Sequence, residues 1–75
     1  MGKLPRDVSG DEAVKAFLRA GFVADHQTGS HTILYHTHDP RKMLSVPRHR
    51  VLKTGTLRTL IRQAGLTVEE FLELL

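Results

Sequence analysis

The chain has 75 residues with 11 Lys or Arg and 8 Asp or Glu, which gives a formal net charge of +3. A chain this short buries only about 60% of its unfolded surface, so we expect one domain over residues 1–75, with a thin core that a partner or self-association helps to stabilise. The absence of cysteine excludes disulfides and thiolate metal sites and suits a cytoplasmic location, and no stretch has the length and hydropathy of a signal peptide or membrane span.

The charge is unevenly distributed along the chain. Residues 41–64 contain seven Lys or Arg side chains and no carboxylate, whereas residues 1–40 contain four basic and five acidic side chains. The last 11 residues contain three glutamates and no basic side chain. A basic block of this kind is often only a solvated face, but it also favours binding to a polyanion, for which nucleic acid is the natural candidate.

The first predicted element is a helix over residues 10–20. Ser9 and Glu12 have the spacing of a capping box, and Gly21 is a C-terminal stop signal. Apolar residues at helical spacing predict a buried face made of Ala13, Val14, Phe17 and Leu18. We interpret this helix as a core element.

A three-stranded antiparallel meander is predicted next, over residues 22–27, 31–37 and 42–46. Gly29 and Ser30 form the tight turn of the first hairpin, in which Gly29 is expected to adopt a positive φ. Asp39 and Pro40 favour the second turn. Pro47 ends the third strand, because proline cannot donate a hydrogen bond to a strand ladder.

Two more helices are predicted after a basic loop at residues 48–53. Thr54 is the expected N-cap of the second helix, and Gly65 ends it. The apolar face of this helix is predicted to consist of Leu57, Leu60, Ile61 and Ala64.

A short third helix is predicted over residues 68–74. Thr67 and Glu70 have capping-box spacing, and Leu66 and Phe71 have the spacing of a hydrophobic staple. The element order is therefore α-β-β-β-α with a short C-terminal helix. It predicts an α+β fold with the layout of a double-stranded-RNA-binding-like domain, in which the helices cover one sheet face and leave the other open.

Short sequence segments along the chain carry a family resemblance. In chain order they are Gly29-Ser30-His31, Val46-Pro47-Arg48-His49, Gly55-Thr56-Leu57-Arg58 leading to Gln63-Ala64-Gly65, and Glu69-Glu70-Phe71, with Gly21-Phe22 also fitting. Together, over about residues 9–72, they resemble the HicA family, also called YcfA-like. Residues 25–28, Asp-His-Gln-Thr, depart from that family, which tends to be more basic there. The residues after His31 are also less aromatic than is common in the family.

The resemblance implies the small toxin of a toxin–antitoxin pair. Such a toxin is an endoribonuclease that cleaves messenger RNA and is held inactive by its antitoxin, HicB. The histidine of the Gly-Ser-His motif is the family's catalytic residue and corresponds here to His31. No cofactor or metal is expected.

A histidine such as His31 also suits RNA cleavage on chemical grounds that do not depend on the family resemblance. RNA cleavage without a metal needs a base for the 2′-hydroxyl proton, an acid for the departing 5′-oxygen and positive charge beside the phosphate. Histidine suits either proton role, since its reference pKa is about 6.5. Ser30 is a candidate for orienting His31 or for donating to a phosphate oxygen. A histidine at a strand start is also commonly just a solvated or core residue.

The basic block supplies the remaining predicted site residues. We predict RNA contacts from Arg48, Arg50, Lys53 and Arg58. His49 is a candidate second proton-transfer group, and a contact with phosphate or with a protein partner is an equally good interpretation of it.

Three other interpretations are suggested by parts of the sequence. His26, His31, His36 and His38 suggest a metal cluster, but residues 31 and 36 face opposite sides of a regular strand and no Cys or acid completes a ligand set. A helix-turn-helix DNA reader is disfavoured, because the second of its two helices is acidic. The remaining alternative is a non-catalytic RNA-binding module of the same fold, in which the basic block binds phosphates and His31 is merely polar.

Overall fold

The computed structural model describes residues 4–75, which fold into an antiparallel sheet with helices packed on one face. In chain order the elements are α1 (Gly10–Arg19), β1 (Phe22–Gln27), β2 (His31–His36), β3 (Met43–Pro47), α2 (Thr54–Gln63) and α3 (Val68–Leu74). The strand order is β1-β2-β3, so β2 is central. The predicted α+β class and element order are confirmed. No helix within residues 4–75 is long and apolar enough to cross a membrane.

Helix α1 begins as its capping residues predict. The Ser9 hydroxyl accepts from the backbone N–H of Glu12, and the Glu12 carboxylate accepts from the backbone N–H of Ser9, both at 3.0 Å. The buried face differs from the prediction: Ala16 is fully buried, Val14 is only partly buried and Leu18 is 42% exposed. Ala13, Ala16 and the next residue along, Phe17, are spaced i, i+3, i+4, and Leu18 lies a further 100° around the helix, outside that stripe.

The alternation of side chains along β2 defines the two faces of the sheet. Thr32, Ile33 and Leu34 are all buried, but of these three it is Leu34 that belongs to the core cluster with the apolar faces of the helices. His31, Ile33 and Tyr35 therefore lie on the opposite, open face, because successive strand residues point to opposite sides. The sequence alone left the orientation of His31 undecided, and the strand register resolves it.

A β-bulge interrupts the pairing of β1 with β2 at Asp25. Ala24 pairs with Leu34. His26 comes two residues later in β1 but pairs with Ile33, which is only one residue before Leu34 in β2. Asp25 is thus the extra residue of the bulge. Because the register shifts by one, His26 lies on the same face as Ile33, the open face.

Aromatic side chains from three elements form the centre of the core. The ring centroids of Phe17 and Phe71 are 5.3 Å apart, and those of Phe17 and Phe22 are 6.0 Å apart. Helix α3 is further held to α1 by the Arg19 guanidinium, which donates to the Leu74 carbonyl at 2.6 Å. The predicted α3 capping box of Thr67 with the residue three positions later is also present.

The start of α2 and the end of β3 differ slightly from the predictions. The N-cap of α2 is Lys53 rather than Thr54, because Lys53 has an extended backbone (φ −62°, ψ 142°) and Thr54 is already helical. No side chain caps this helix. Pro47 is the last residue of β3 rather than the residue that follows it, which an edge strand tolerates.

The N-terminus of α1 lies directly against the chain that follows β3. The Gly10 N–H donates to the His49 carbonyl at 2.9 Å, and the Leu52 N–H donates to the Val8 carbonyl at 2.7 Å. A Cβ placed on Gly10 would lie 2.0 Å from the Pro47 carbonyl oxygen. Only glycine allows this approach, which positions the basic loop beside the end of the sheet.

Candidate active site

The turn before His31 is held together by Thr28. The Thr28 N–H donates to the His31 carbonyl at 2.8 Å, and the Thr28 hydroxyl accepts from the His31 N–H at 2.9 Å and from the Ser30 N–H at 3.4 Å. Gly29 does not adopt the left-handed φ that the sequence predicted, since Gly21 and Gly65 are the glycines with positive φ in the described chain. The Thr28 hydroxyl instead satisfies the N–H groups of the turn.

His31 is half-buried at the start of β2, with its side chain held by Ser30. The distance between Ser30 Oγ and His31 Nδ1 is 2.8 Å. A hydroxyl can donate or accept, so Ser30 can partner either neutral tautomer of the ring. Nε2 is the ring nitrogen that Ser30 does not engage.

The end of β3 brings the basic loop to this turn. Pro47 is opposite His31 in the sheet, and the Arg48 N–H donates to the Ser30 carbonyl at 2.8 Å. The backbone of the first predicted RNA-binding residue is therefore hydrogen-bonded to the turn that carries His31.

His49 and the two neighbouring arginines line a separate cleft. Its volume is about 210 Å³, and its lining residues are Ser9, Asp11, Arg48, His49 and Arg50. The cleft lies at the N-terminus of α1, and His31 is not among the residues that line it. The structure thus places His49 and Arg50 near the start of α1 rather than on the open sheet face with His31.

The other cations of the basic block differ in their surroundings. Lys53 and Arg58 are exposed at the start and on the outer surface of α2. Arg41 forms an ion pair with Asp39 at 3.3 Å, so a carboxylate from outside the block compensates one of its charges. Within residues 4–75, no ion pair engages Arg48, Arg50, Lys53 or Arg58, a set we call the unpaired cations.

A second histidine lies on the same sheet face as His31. His26 Nδ1 donates to Asp25 Oδ2 at 2.6 Å, and both side chains are about half exposed (54% and 53%). In the register after the bulge, His26 is opposite Ile33, two residues from His31 on β2. His26 and His31 are therefore diagonal neighbours on the open face.

A comparison with protein families identifies the chain's relatives. The family model described as the HicA toxin of bacterial toxin–antitoxin systems matches residues 10–66. The chain belongs to the HicA toxin family. No curated protein matches the sequence. Membership of this family implies an antitoxin partner.

The matched segment of this HicA toxin contains the main elements of the candidate site. It runs from the first residue of α1 to just beyond α2 and includes the turn at residues 28–31 and the basic block. Within residues 4–75, no group of three or more His, Cys, Asp or Glu side chains is placed to hold a metal ion.

Sequence reasoning did not identify two features of this HicA toxin site. Thr28 carries a recognisable signal, because a threonine just before a Gly-Ser pair is typical of a side-chain-stabilised turn. The Asp25–His26 pair carries none, because it depends on a bulge that no periodicity in the sequence marks.

Proposed function

We propose that this HicA toxin is an endoribonuclease that cleaves messenger RNA without a metal ion, uses His31 for proton transfer and is neutralised by a HicB antitoxin. The observation that supports this most is the 2.8 Å contact of Ser30 Oγ with His31 Nδ1, on the sheet face opposite the core cluster. Its messenger RNA substrate and antitoxin would be met in the cytoplasm.

The reaction is an internal attack on the phosphodiester. A base removes the proton of the 2′-hydroxyl, the 2′-oxygen forms a bond to phosphorus, and the bond from phosphorus to the 5′-oxygen breaks. An acid gives the departing 5′-oxygen its proton, so the products are a 2′,3′-cyclic phosphate and a 5′-hydroxyl. His31 Nε2 is the atom assigned to one of these transfers, with the Ser30 hydroxyl fixing the ring.

The unpaired cations supply the charge that RNA binding requires. Among them, Arg48 is connected directly to the turn, because its backbone N–H donates to the Ser30 carbonyl. Each arginine or lysine that meets a phosphate displaces a counterion, so binding should depend on salt and little on sequence. In this proposal the basic loop holds the RNA while His31 acts on one phosphate.

The antitoxin is proposed to act by covering these same groups. Arg48, whose backbone is hydrogen-bonded to the turn of His31, and the other unpaired cations suit an antitoxin surface that presents carboxylates to them. The toxin and HicB should therefore co-purify as a stable complex that does not cleave RNA. An antitoxin that binds without stopping cleavage would contradict this part of the proposal.

The decisive experiment uses purified toxin, structured and unstructured RNA, and a chelator in the buffer. We expect endonucleolytic products that end in 2′,3′-cyclic phosphate, detected by mass spectrometry. Products that end in 3′-hydroxyl groups would contradict the proposed chemistry. Salt-sensitive binding without any cleavage would instead support the non-catalytic RNA-binding module.

A further inference from the structure

The bulge at Asp25 places a second, oriented imidazole beside His31. In a regular antiparallel pair that kept the register of Ala24 with Leu34, His26 would be opposite Thr32 and would face the helices. The extra residue instead sets His26 opposite Ile33, on the open face. Bulges commonly re-aim a side chain next to an active site.

We propose that His26 is the second proton-transfer residue of this toxin: it is the base that removes the 2′-hydroxyl proton, and His31 is the acid that protonates the departing 5′-oxygen. The proposal rests on the endoribonuclease function proposed above. It assigns Asp25 as a positioning residue that acts through His26.

The hydrogen-bond partners of the two rings distinguish their roles. An ionised carboxylate can only accept, so Asp25 fixes the proton of neutral His26 on Nδ1 and leaves Nε2 with a free lone pair. That is the form a base needs. The Ser30 hydroxyl can accept from His31 Nδ1–H, so His31 can carry protons on both ring nitrogens, and this imidazolium is the form an acid needs.

The strand register also gives the two rings a suitable separation. Diagonal neighbours on one sheet face have backbones about 7–8 Å apart, and their Cβ atoms are somewhat closer. One phosphate with a hydrogen bond to each imidazole fits between side chains at that spacing, since each proton transfer requires about 2.6–3.2 Å between heavy atoms. His49, by contrast, lines the cleft at the start of α1.

In the proposed step every proton is accounted for. His26 Nε2 takes the 2′-hydroxyl proton as the new bond from the 2′-oxygen to phosphorus forms. The bond from phosphorus to the 5′-oxygen breaks with its electron pair on that oxygen, which takes the Nε2 proton of the His31 imidazolium and leaves that ring neutral. Exchange with water then returns the two rings to their starting protonation states.

The test compares two substrates that differ in one atom of the leaving group. One is an RNA that the toxin cleaves, and the other has sulfur in place of the 5′-bridging oxygen at the same position. A thiolate leaves without being protonated, so the sulfur substrate no longer needs the acid but still needs the base. Single-turnover rates are measured for wild type, His26→Ala, His31→Ala and the control His38→Ala, whose side chain is exposed and away from this site.

The proposal predicts a different pattern for each variant. His26→Ala should lose about 10²- to 10⁴-fold in rate on both substrates, because the base is missing in both reactions. His31→Ala should lose a similar factor on the oxygen substrate and recover most of it on the sulfur substrate. His38→Ala should match wild type. His26 is about half exposed, so its replacement removes little packing, and equal melting temperatures will verify this.

Two results would overturn the proposal and leave the proposed function standing. In one, His26→Ala cleaves the oxygen substrate at the wild-type rate while His31→Ala does not. In the other, sulfur restores His26→Ala but not His31→Ala, which would reverse the two roles. Absence of cleavage by wild type would instead remove the proposed function itself.

The positioning role of Asp25 has its own spectroscopic signature. In wild type at a pH where the ring is neutral, ¹⁵N chemical shifts should show the His26 proton on Nδ1. In Asp25→Ala the proton should move largely to Nε2, with a lower cleavage rate and an unchanged melting temperature. An unchanged tautomer in that variant would contradict the role given to Asp25.

Discussion

Replacing Gly10 with alanine tests how the basic loop is held beside the sheet. The new Cβ would lie 2.0 Å from the Pro47 carbonyl oxygen and 3.3 Å from the Arg48 Cα, both backbone atoms. Helix α1 and the end of β3 must therefore separate. We expect a cost of about 1–3 kcal/mol for overpacking and about 1 kcal/mol for the weakened Gly10–His49 hydrogen bond.

Part of that cost is offset, because alanine restricts the unfolded chain by about 0.4–1 kcal/mol relative to glycine. The net loss of about 1–3 kcal/mol should lower the melting temperature of a domain this size by about 5–20 °C. Gly29→Ala is the matched control, since a Cβ there has no atom within 4 Å and Gly29 does not have a left-handed φ. It should be as stable as wild type or slightly more stable. The melting temperatures are measured by thermal unfolding monitored by circular dichroism. A Gly10→Ala variant that melts within about 2 °C of this control would show that a Cβ at position 10 is accommodated without cost.

Three further predictions concern the basic loop, the turn and the first helix. Replacing Arg48, Arg50 and Lys53 together with alanine should weaken the binding of every RNA tested. The slope of log affinity against log salt should become shallower by about 0.7 per lost contact on a single strand. An unchanged slope in filter-binding titrations would show that RNA binds elsewhere. Thr28→Val removes the hydroxyl that accepts from two turn N–H groups and should cost about 1–2 kcal/mol in urea unfolding; unchanged stability would show that water replaces it. The hydrogen bonds from Ser9 hold the pKa of Glu12 below its usual 4.5. The stability that this carboxylate adds is therefore present above pH 4.5 and is lost as the pH falls through the lowered pKa. The difference in melting temperature between wild type and E12Q should shrink on acidification, and a constant difference would contradict this prediction.

The parts of the fold that depend on local sequence were predictable. Both capping boxes depend on residues three positions apart, and both are present in the structure. The apolar face of α2 follows directly from its helical spacing, and its four predicted members are buried. The motif at His31 was also recognised from adjacent residues.

The features that the sequence did not reveal depend on distant contacts. The bulge at Asp25 is set by pairing with β2, and it decides which face His26 occupies. The need for glycine at position 10 arises from Pro47, 37 residues later in the chain. The position of His49 near the start of α1 likewise depends on that packing, so adjacency in the basic block did not predict proximity to His31.

Whether His31 transfers a proton during RNA cleavage is decided by one single-turnover rate. The rates of His31→Ala and His38→Ala are compared at equal RNA occupancy in a buffer that contains a chelator. Both variants must first be shown to have the melting temperature of wild type. General acid–base assistance is worth about 10²- to 10⁴-fold, so we expect a loss of that size for His31→Ala and none for His38→Ala. RNA affinity should be retained, because the unpaired cations remain. A folded His31→Ala variant that cleaves at the wild-type rate would contradict the assignment.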